Sequence, residues 1–326
     1  MAVTLDGTSE YYLRSDGLKS AADAKVGTFA CWFRRAAIGS IQTLFSISQG
    51  ASERFSVTLD ASNLVQVAGS NSAGVSILAY PADVAITNLT NYHHLVTSWD
   101  LANAEFHLYL DRVEARGTVV TQTDANIDYT GDTAAVGARS HDAARLWNGD
   151  IAEVFFDPTT FVDLSDSDEL GKFVSQDNSS NSQGEFLKSE PGVQYKPVGY
   201  GHDASFATGA RPSVFLHGYG PAFGQNKGTG GSFNMVGTPA NDSDLSPYRH
   251  HAKWPTPGLR WFMSERSGFL YPRGDTFVEK REGIPGYGQR MGQDELDDTT
   301  REEQPHTDFL SMIFQDREDD KEEKDR

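Results

Sequence analysis

Hydrophobic and polar residues alternate with a period of two over most of the first 165 positions. His94, Val96 and Ser98 form one side of a run whose other side is Leu95, Thr97 and Trp99, and Phe106, Leu108 and Leu110 then alternate with His107, Tyr109 and Asp111. Half-buried strands produce this pattern, because successive side chains leave a pleated backbone in opposite directions. The residues between the runs, Asp100-Leu101-Ala102-Asn103-Ala104, have turn chemistry, so the two runs are predicted to form one hairpin. Read the same way, the chain predicts strands near 2–5, 10–14, 27–35, 41–48, 53–59, 63–69, 73–79, 92–99, 105–111, 116–120, 133–138 and 148–156. Many short strands separated by Gly, Asn, Asp and Ser predict an all-β fold, a two-sheet antiparallel sandwich.

Helical spacing enters only afterwards. Leu164, Leu170 and Phe173 fall on one face of a short predicted helix near 165–174, with Ser165 as its N-cap and Asp166, Asp168 and Glu169 in the first turn. Two more strands, over 211–218 and 231–238, flank the glycine-rich stretch 224–230. They are expected to close the sheet beside residues 2–5, so that no long edge stays open. The sandwich domain is therefore placed at 1–246, with its closing strands near 212–238.

From Pro247 to Arg290 the pattern is lost. Proline and glycine interrupt a series of aromatics, which precludes long helices and central strands. This stretch has eight Lys/Arg against four Asp/Glu, whereas 291–326 has five against fourteen. The first reads as an extended basic arm whose aromatics seek a partner surface, with Trp254, Trp261, Phe262 and Tyr271 as anchors. The second reads as an acidic tail holding a short amphipathic helix near 307–314, where Phe309 and Ile313 share a face. A disordered terminus with a chance apolar cluster is the alternative for the tail.

Two stretches resemble a known family. Asn91-Tyr92-His93-His94-Leu95-Val96-Thr97-Ser98-Trp99-Asp100 and Leu146-Trp147-Asn148-Gly149-Asp150-Ile151-Ala152-Glu153-Val154-Phe155-Phe156 look like the paired core strands of a laminin-G-like, concanavalin A-type jelly roll. Leu108-Tyr109-Leu110-Asp111-Arg112 departs from the family hairpin only at its turn glycine. Leu5-Asp6-Gly7 and Gly27-Thr28-Phe29-Ala30-Cys31-Trp32-Phe33 are similar to the family's entry segment and next core strand, so the likeness runs from residue 1 to about 160. Asn226-Lys227-Gly228-Thr229-Gly230-Gly231-Ser232-Phe233-Asn234-Met235-Val236-Gly237, following a jelly roll and a helix, is similar to a segment of virion proteins of tailed bacteriophages. That resemblance implies a virion structural protein, in a head, neck or tail position, that meets other virion proteins and forms a homo-oligomer within the particle.

Composition narrows the functions. The net charge of −18 opposes nucleic-acid binding. No apolar run approaches the ~20 residues of a membrane span. The opening Met1-Ala2-Val3-Thr4-Leu5-Asp6 has no signal-peptide character, so assembly in a host bacterial cytoplasm is expected. The single Cys31 shares a strand face with Phe29 and Phe33 and reads as a core residue.

Several groups invite chemistry. His93 and His94 are adjacent on a strand and cannot chelate one ion. Asp150, Glu153 and Asp157 lack the spacing of a glycosidase carboxylate pair, so no catalytic residue is assigned and the protein is expected not to be an enzyme. The 224–231 loop leads into a strand rather than a helix and is not a phosphate cradle. Calcium is the one cofactor with candidate ligands: relatives hold it at the sandwich rim, and Asp124, Asn126, Asp128 and Asp132 form an acidic loop. Tyr80, Tyr129 and Trp147 are candidate platforms for stacking on a sugar. The sequence thus supports a virion structural protein anchored by its C-terminal arm, with a glycan-binding adhesion module directed at host-surface glycans, with or without calcium, as the alternative.

Overall fold

The computed structural model describes residues 2–19, 21–177, 188–190, 193–197, 204–218, 220–242, 260–263 and 270–273. The chain divides into two compact units, Met1–Lys253 and Trp254–Arg326. The first unit begins with β1 (Ala2–Asp6), β2 (Tyr11–Arg14), β3 (Val26–Arg35), β4 (Gln42–Gln49), β5 (Ser52–Leu59), β6 (Leu64–Ser70), β7 (Ser76–Ala85), β8 (His93–Asp100), β9 (Glu105–Leu110), β10 (Val113–Glu114), β11 (Thr121–Gln122), β12 (Thr133–Val136) and β13 (Asn148–Asp157). Then follow α1 (Ser167–Gly171), β14 (Val174–Asp177), β15 (Lys188–Glu190), β16 (Val193–Pro197), α2 (Ser205–Thr208), β17 (Val214–Leu216), α3 (Gly220–Phe223), β18 (Asn234–Val236) and β19 (Ala240–Asp242).

Two antiparallel sheets make the sandwich. The first has the order β10-β9-β8-β3-β13-β1-β19, with β17 also pairing β13, and the second the order β11-β7-β6-β5-β4-β12-β2-β18. β14, β16 and β15 form a separate three-stranded sheet. The hairpin expected across 92–111 is β8 with β9, in the register Leu95 opposite Leu110 and Trp99 opposite Phe106.

The alternation of β3 explains why the two sheets differ. Phe29, Cys31 and Phe33 point into the core between the sheets, while Ala30 and Trp32 belong to a second core with Val96, Phe155, Leu164, Leu170, Phe173 and Ala207. The first sheet is therefore buried on both faces, and its central strands β3, β8 and β13 are buried almost throughout. The second sheet has apolar residues on one side only: Phe45, Ile47, Phe55, Val57, Val65 and Val67 face inward, with polar or small residues between them. Its outward side is where a site can be built.

Ring packing dominates the inner core. Phe55 lies 5.2 Å from both Trp99 and Phe156 and 5.7 Å from Tyr129. Trp99 Nε1 donates to the Tyr129 hydroxyl at 2.8 Å, so the one polar end of this cluster is paired. Trp99 fits because residue 27 is glycine: a Cβ there would stand 2.5 Å from its ring.

The closing segment differs from expectation. β17 pairs β13 beyond the point where β1 leaves it, β18 pairs β2 in the other sheet, and the strand beside β1 is β19. The break on β13 falls between Ala152 and Phe155, where Glu153 has a left-handed φ of 53°, a bulge that strict alternation cannot foresee. Asn226 latches the segment down: its Oδ1 accepts from Phe215 N (2.7 Å) and Gly228 N (2.9 Å), and its Nδ2 donates to Ser213 O (2.9 Å) and Gly231 O (3.0 Å). A Cβ at Gly228 or Gly230 would come within 2.6 or 2.7 Å of Ser213 O, which gives the glycines of this stretch a packing role.

Two smaller corrections concern element ends. α1 is capped by Asp166, whose side chain accepts from Asp168 N, and not by Ser165, which bonds Asp163. No strand spans 116–120; that segment follows the side of β7, and the short ladders lie at β10 and β11. In the second unit, β20 (Arg260–Met263) pairs β21 (Leu270–Arg273) with Trp261 opposite Pro272 and Phe262 opposite Tyr271. Trp254, Phe309, Ile313 and the helix expected near 307–314 lie outside the described residues. Among the described residues no helix is long and apolar enough to cross a membrane.

Candidate functional site

Alternation along β4 and β5 sends Ser46, Ser48, Ser56 and Thr58 outward between the core residues Phe45, Ile47, Phe55, Val57 and Leu59. Register aligns them: Ser46 stands opposite Ser56, Ser56 opposite Ala68, and Ala68 opposite Ala79. A row of hydroxyl and methyl side chains thus crosses four strands. Its β6 and β7 members, Ala68 and Ala79, are half-buried, whereas Ser46 and Ser56 are buried.

What covers the serines is the connection from β12 to β13. Its backbone folds back on itself (Trp147 N to Gly137 O, 2.8 Å; Arg139 N to Ala144 O, 2.8 Å) and is tied to the sheet by Thr43 N to Arg145 O at 2.8 Å. Ala143 and Arg145 both have φ of 54°, a left-handed conformation that costs a residue with a Cβ about 1 kcal/mol or more. The sheet contacts hold that strain in place.

Beneath this loop lies a polar cluster. Ser46 Oγ donates to Ala138 O (3.0 Å) and accepts from Ser140 N (2.8 Å), and Ser140 Oγ donates to Ser48 Oγ (2.8 Å). Ser48 Oγ is also 3.2 Å from His141 Nδ1. Ser56 donates to Glu53 Oε1 at 3.0 Å, and Arg145 stands 3.6 Å from the same oxygen. Asp142 is paired with Arg139, whose hydrogen bonds hold its carboxyl well below the usual range against the opposing effect of burial. The serines are buried and bonded among themselves, and they fix a rim of half-buried polar groups, Glu53, His141 and Arg145, whose donors and acceptors are of the kind that sugar hydroxyls match. Ser48, His141 and Asp142 do not form an open nucleophilic relay: Ser48 is fully buried, and His141 Nε2 stands 3.6 Å from the carboxylate.

The residues singled out from sequence lie elsewhere. Tyr80 is stacked on Phe106 at 3.9 Å, Tyr129 is buried against Phe55, and Trp147 meets Phe33 edge-on at 5.5 Å. All three are core residues, with at most 6% exposure, and the stacking role expected of them is corrected accordingly. The acidic loop is not gathered around one point: Asp124 pairs Lys25 at 2.7 Å, Asp128 pairs Arg54 at 3.2 Å, Asp132 accepts from Gly50 N, and Asn126 is exposed. Among the described residues no group of three or more His, Cys, Asp and Glu could hold a metal ion.

The carboxylates of β13 are likewise occupied: Asp150 by Arg34 and Thr4, Glu153 by His217 at 2.8 Å, Asp157 by Thr159. His93 faces Asp111 (2.7 Å) and His94 faces Trp32, as adjacent strand residues must. Sequence reasoning passed over Ser46, Ser48, Ser140 and His141. Hydroxyls at alternate positions in Phe45-Ser46-Ile47-Ser48 and Phe55-Ser56-Val57-Thr58 were the signal for the sheet side of the cluster; nothing local pointed to the loop that meets it.

Residues 6–156 match a family model, Laminin_G_3, described as the concanavalin A-like lectin/glucanases superfamily. No curated protein matches the chain. Similar solved structures include a native heptameric SAP-like pentraxin from Limulus polyphemus (11% identity, TM-score 0.38, 48% of this chain and 75% of that one). Another is the Ruminococcus gnavus IT-sialidase CBM40 bound to alpha2,6 sialyllactose (19%, 0.39, 50% and 92%). A third is a putative carbohydrate binding protein from Bacteroides ovatus (10%, 0.43, 73% and 58%).

Proposed function

We propose that this protein binds carbohydrate through the outward side of its second sheet, and that it is a recognition module rather than a catalyst. The observation that carries the reading is the set of partly exposed polar groups His141, Glu53 and Arg145 at the 137–147 loop, held in place by the buried hydroxyls of Ser46, Ser48 and Ser140. It lies within a segment matched to a lectin/glucanase superfamily, on the sheet whose outward side carries small and polar residues. Replacing the partly exposed members, His141→Ala and Arg145→Ala, is expected to abolish selective binding on a glycan array while the fold persists. Wild-type protein that selects no glycan, or variants that bind as well as wild type, would contradict the proposal. Chelator is expected to leave binding intact, because Asp124, Asp128 and Asp132 already have other partners.

A second reading places the sandwich on a tailed-phage particle, assembled in the host cytoplasm and anchored through Pro247–Arg290 to a capsid, neck or tail protein. It is supported by the resemblance of the 226–237 latch to phage virion proteins and by the aromatic, basic composition of 247–290. Truncation before Pro247 is expected to leave a folded sandwich that no longer enters particles; unchanged incorporation would remove this reading.

A further inference from the structure

Which nitrogen of His141 carries the proton is decided by the hydroxyls beneath it. Ser140 Oγ donates to Ser48 Oγ (2.8 Å), so the one hydrogen of Ser48 is left for His141 Nδ1 at 3.2 Å. Thr133 Oγ1 completes the chain from behind, 3.3 Å from Ser140 Oγ. Ser48 is fully buried, so water does not take its hydrogen. Run in reverse, with Nδ1–H donating, the chain would end on Thr133, whose remaining acceptor is Ser48 O at 3.5 Å, the limit of a hydrogen bond. The reversed chain would also leave a bare lone pair on Nε2, 3.6 Å from Asp142 Oδ2. Asp142 is ionised, since hydrogen bonds from Arg139 hold its carboxyl well below the usual range, and two acceptors facing at that distance repel. Both considerations place the proton on Nε2, with Nδ1 as the acceptor.

Asp142 is fixed as firmly. Its Oδ1 accepts from Arg139 Nε (2.9 Å) and Ala144 N (3.1 Å), while its Oδ2 accepts from Arg139 Nη2 and keeps a lone pair. The separation between Nε2 and Oδ2 is too long for a direct hydrogen bond. An oxygen about 2.8 Å from each bridges it, accepting from Nε2–H and donating to Oδ2. A hydroxyl performs both roles, whereas a carboxylate cannot donate and an ammonium cannot accept. The pair can be reached from outside, the side chains of His141 and Asp142 being 15% and 37% exposed.

Charge sets the class of saccharide. The arginines of this rim are each matched to a carboxylate, Arg139 to Asp142 and Arg145 to Glu53. An anionic sugar meets as many carboxylates as guanidinium groups there, on a chain whose net charge of −18 repels it.

We propose, on the carbohydrate-binding reading above, that the site selects an uncharged saccharide and seats one of its hydroxyls between His141 Nε2–H and Asp142 Oδ2. Nitrogen-15 NMR of the imidazoles in the full chain, at slightly alkaline pH, needs no glycan. The proton is expected on Nε2 of His141, and a proton on Nδ1 overturns the proposal. An array of neutral and anionic glycans is expected to return neutral ligands. One deoxy analogue of the best of them is expected to bind about tenfold more weakly than its parent. In Asp142→Ala that difference is expected to shrink, because the missing hydroxyl no longer has its acceptor. Asp142→Asn, which leaves Arg139 an acceptor, takes its place where the alanine variant fails to fold. Selection of anionic glycans, or a difference undiminished in the Asp142 variant, overturns the hydroxyl seat while carbohydrate binding itself stands; an array on which nothing binds selectively removes both.

Discussion

His94 gives the sharpest prediction of pH dependence. Its ring is fully buried, packed 4.7 Å from Trp32, and neither ring nitrogen has a hydrogen-bond partner. The carboxylate nearest in sequence logic, Asp111, is committed to His93 Nδ1 and to the backbone N of His94. Burial first, and the Arg112 charge second, push the imidazole down from 6.5 to about 3. The sign follows: between these values the unfolded chain binds a proton that the folded one does not, so stability is complete above 6.5 and is lost as pH falls toward 3. The slope is about 1.4 kcal/mol per pH unit, or on the order of 2 kcal/mol lost at pH 5 relative to neutrality. Urea denaturation of wild type and His94→Phe at several pH values between 4 and 7.5 measures it. His94→Phe, which keeps a planar ring against Trp32, is expected to flatten the profile by about that slope. Parallel profiles for the two proteins would show that His94 is not held neutral and would refute the reasoning.

Other consequences follow from single contacts. Asn226→Ala removes four hydrogen bonds at the latch and is expected to cost about 3 kcal/mol in thermal unfolding; a loss under ~1 kcal/mol would mean the closing segment is held by packing alone. Phe55→Ala, at the centre of the ring cluster of Trp99, Tyr129 and Phe156, is expected to cost about 3–5 kcal/mol, read from the denaturant midpoint. Trp147→Phe is expected to lower stability without altering glycan selectivity, because its ring is core; a changed array profile would return it to the binding surface. Saturating calcium is expected to leave the melting temperature unmoved, and a clear rise would mean that Asp124, Asp128 and Asp132 rearrange around the ion.

Most of the sandwich could be read from alternation. The strands drawn at 27–35, 53–59 and 148–156 correspond to β3, β5 and β13 because a period of two, interrupted by turn residues, has few other solutions. The bulge at Glu153 and the order of the closing strands could not be read, since both depend on where β1 ends against β13, a contact between residues about 150 positions apart. Site residues were less legible still. Large aromatics such as Tyr80, Tyr129 and Trp147 suit a sugar platform by chemistry, but the same size makes them the best core fillers, and packing took them. Acidic residues close in sequence suit calcium, yet Lys25, Arg54 and the Gly50 amide, all distant along the chain, reach them separately. The polar cluster is built from three segments, 46–48, 53–56 and 138–145, and only their folding together gives it meaning.

Hydrogen exchange of the full chain, with and without the glycan that binds best on an array, tests the central claim most directly. Amide protection confined to residues 138–146 and the facing parts of β4 and β5 is the predicted result; protection at the sandwich rim around 124–132, or at no part of the second sheet, would contradict it.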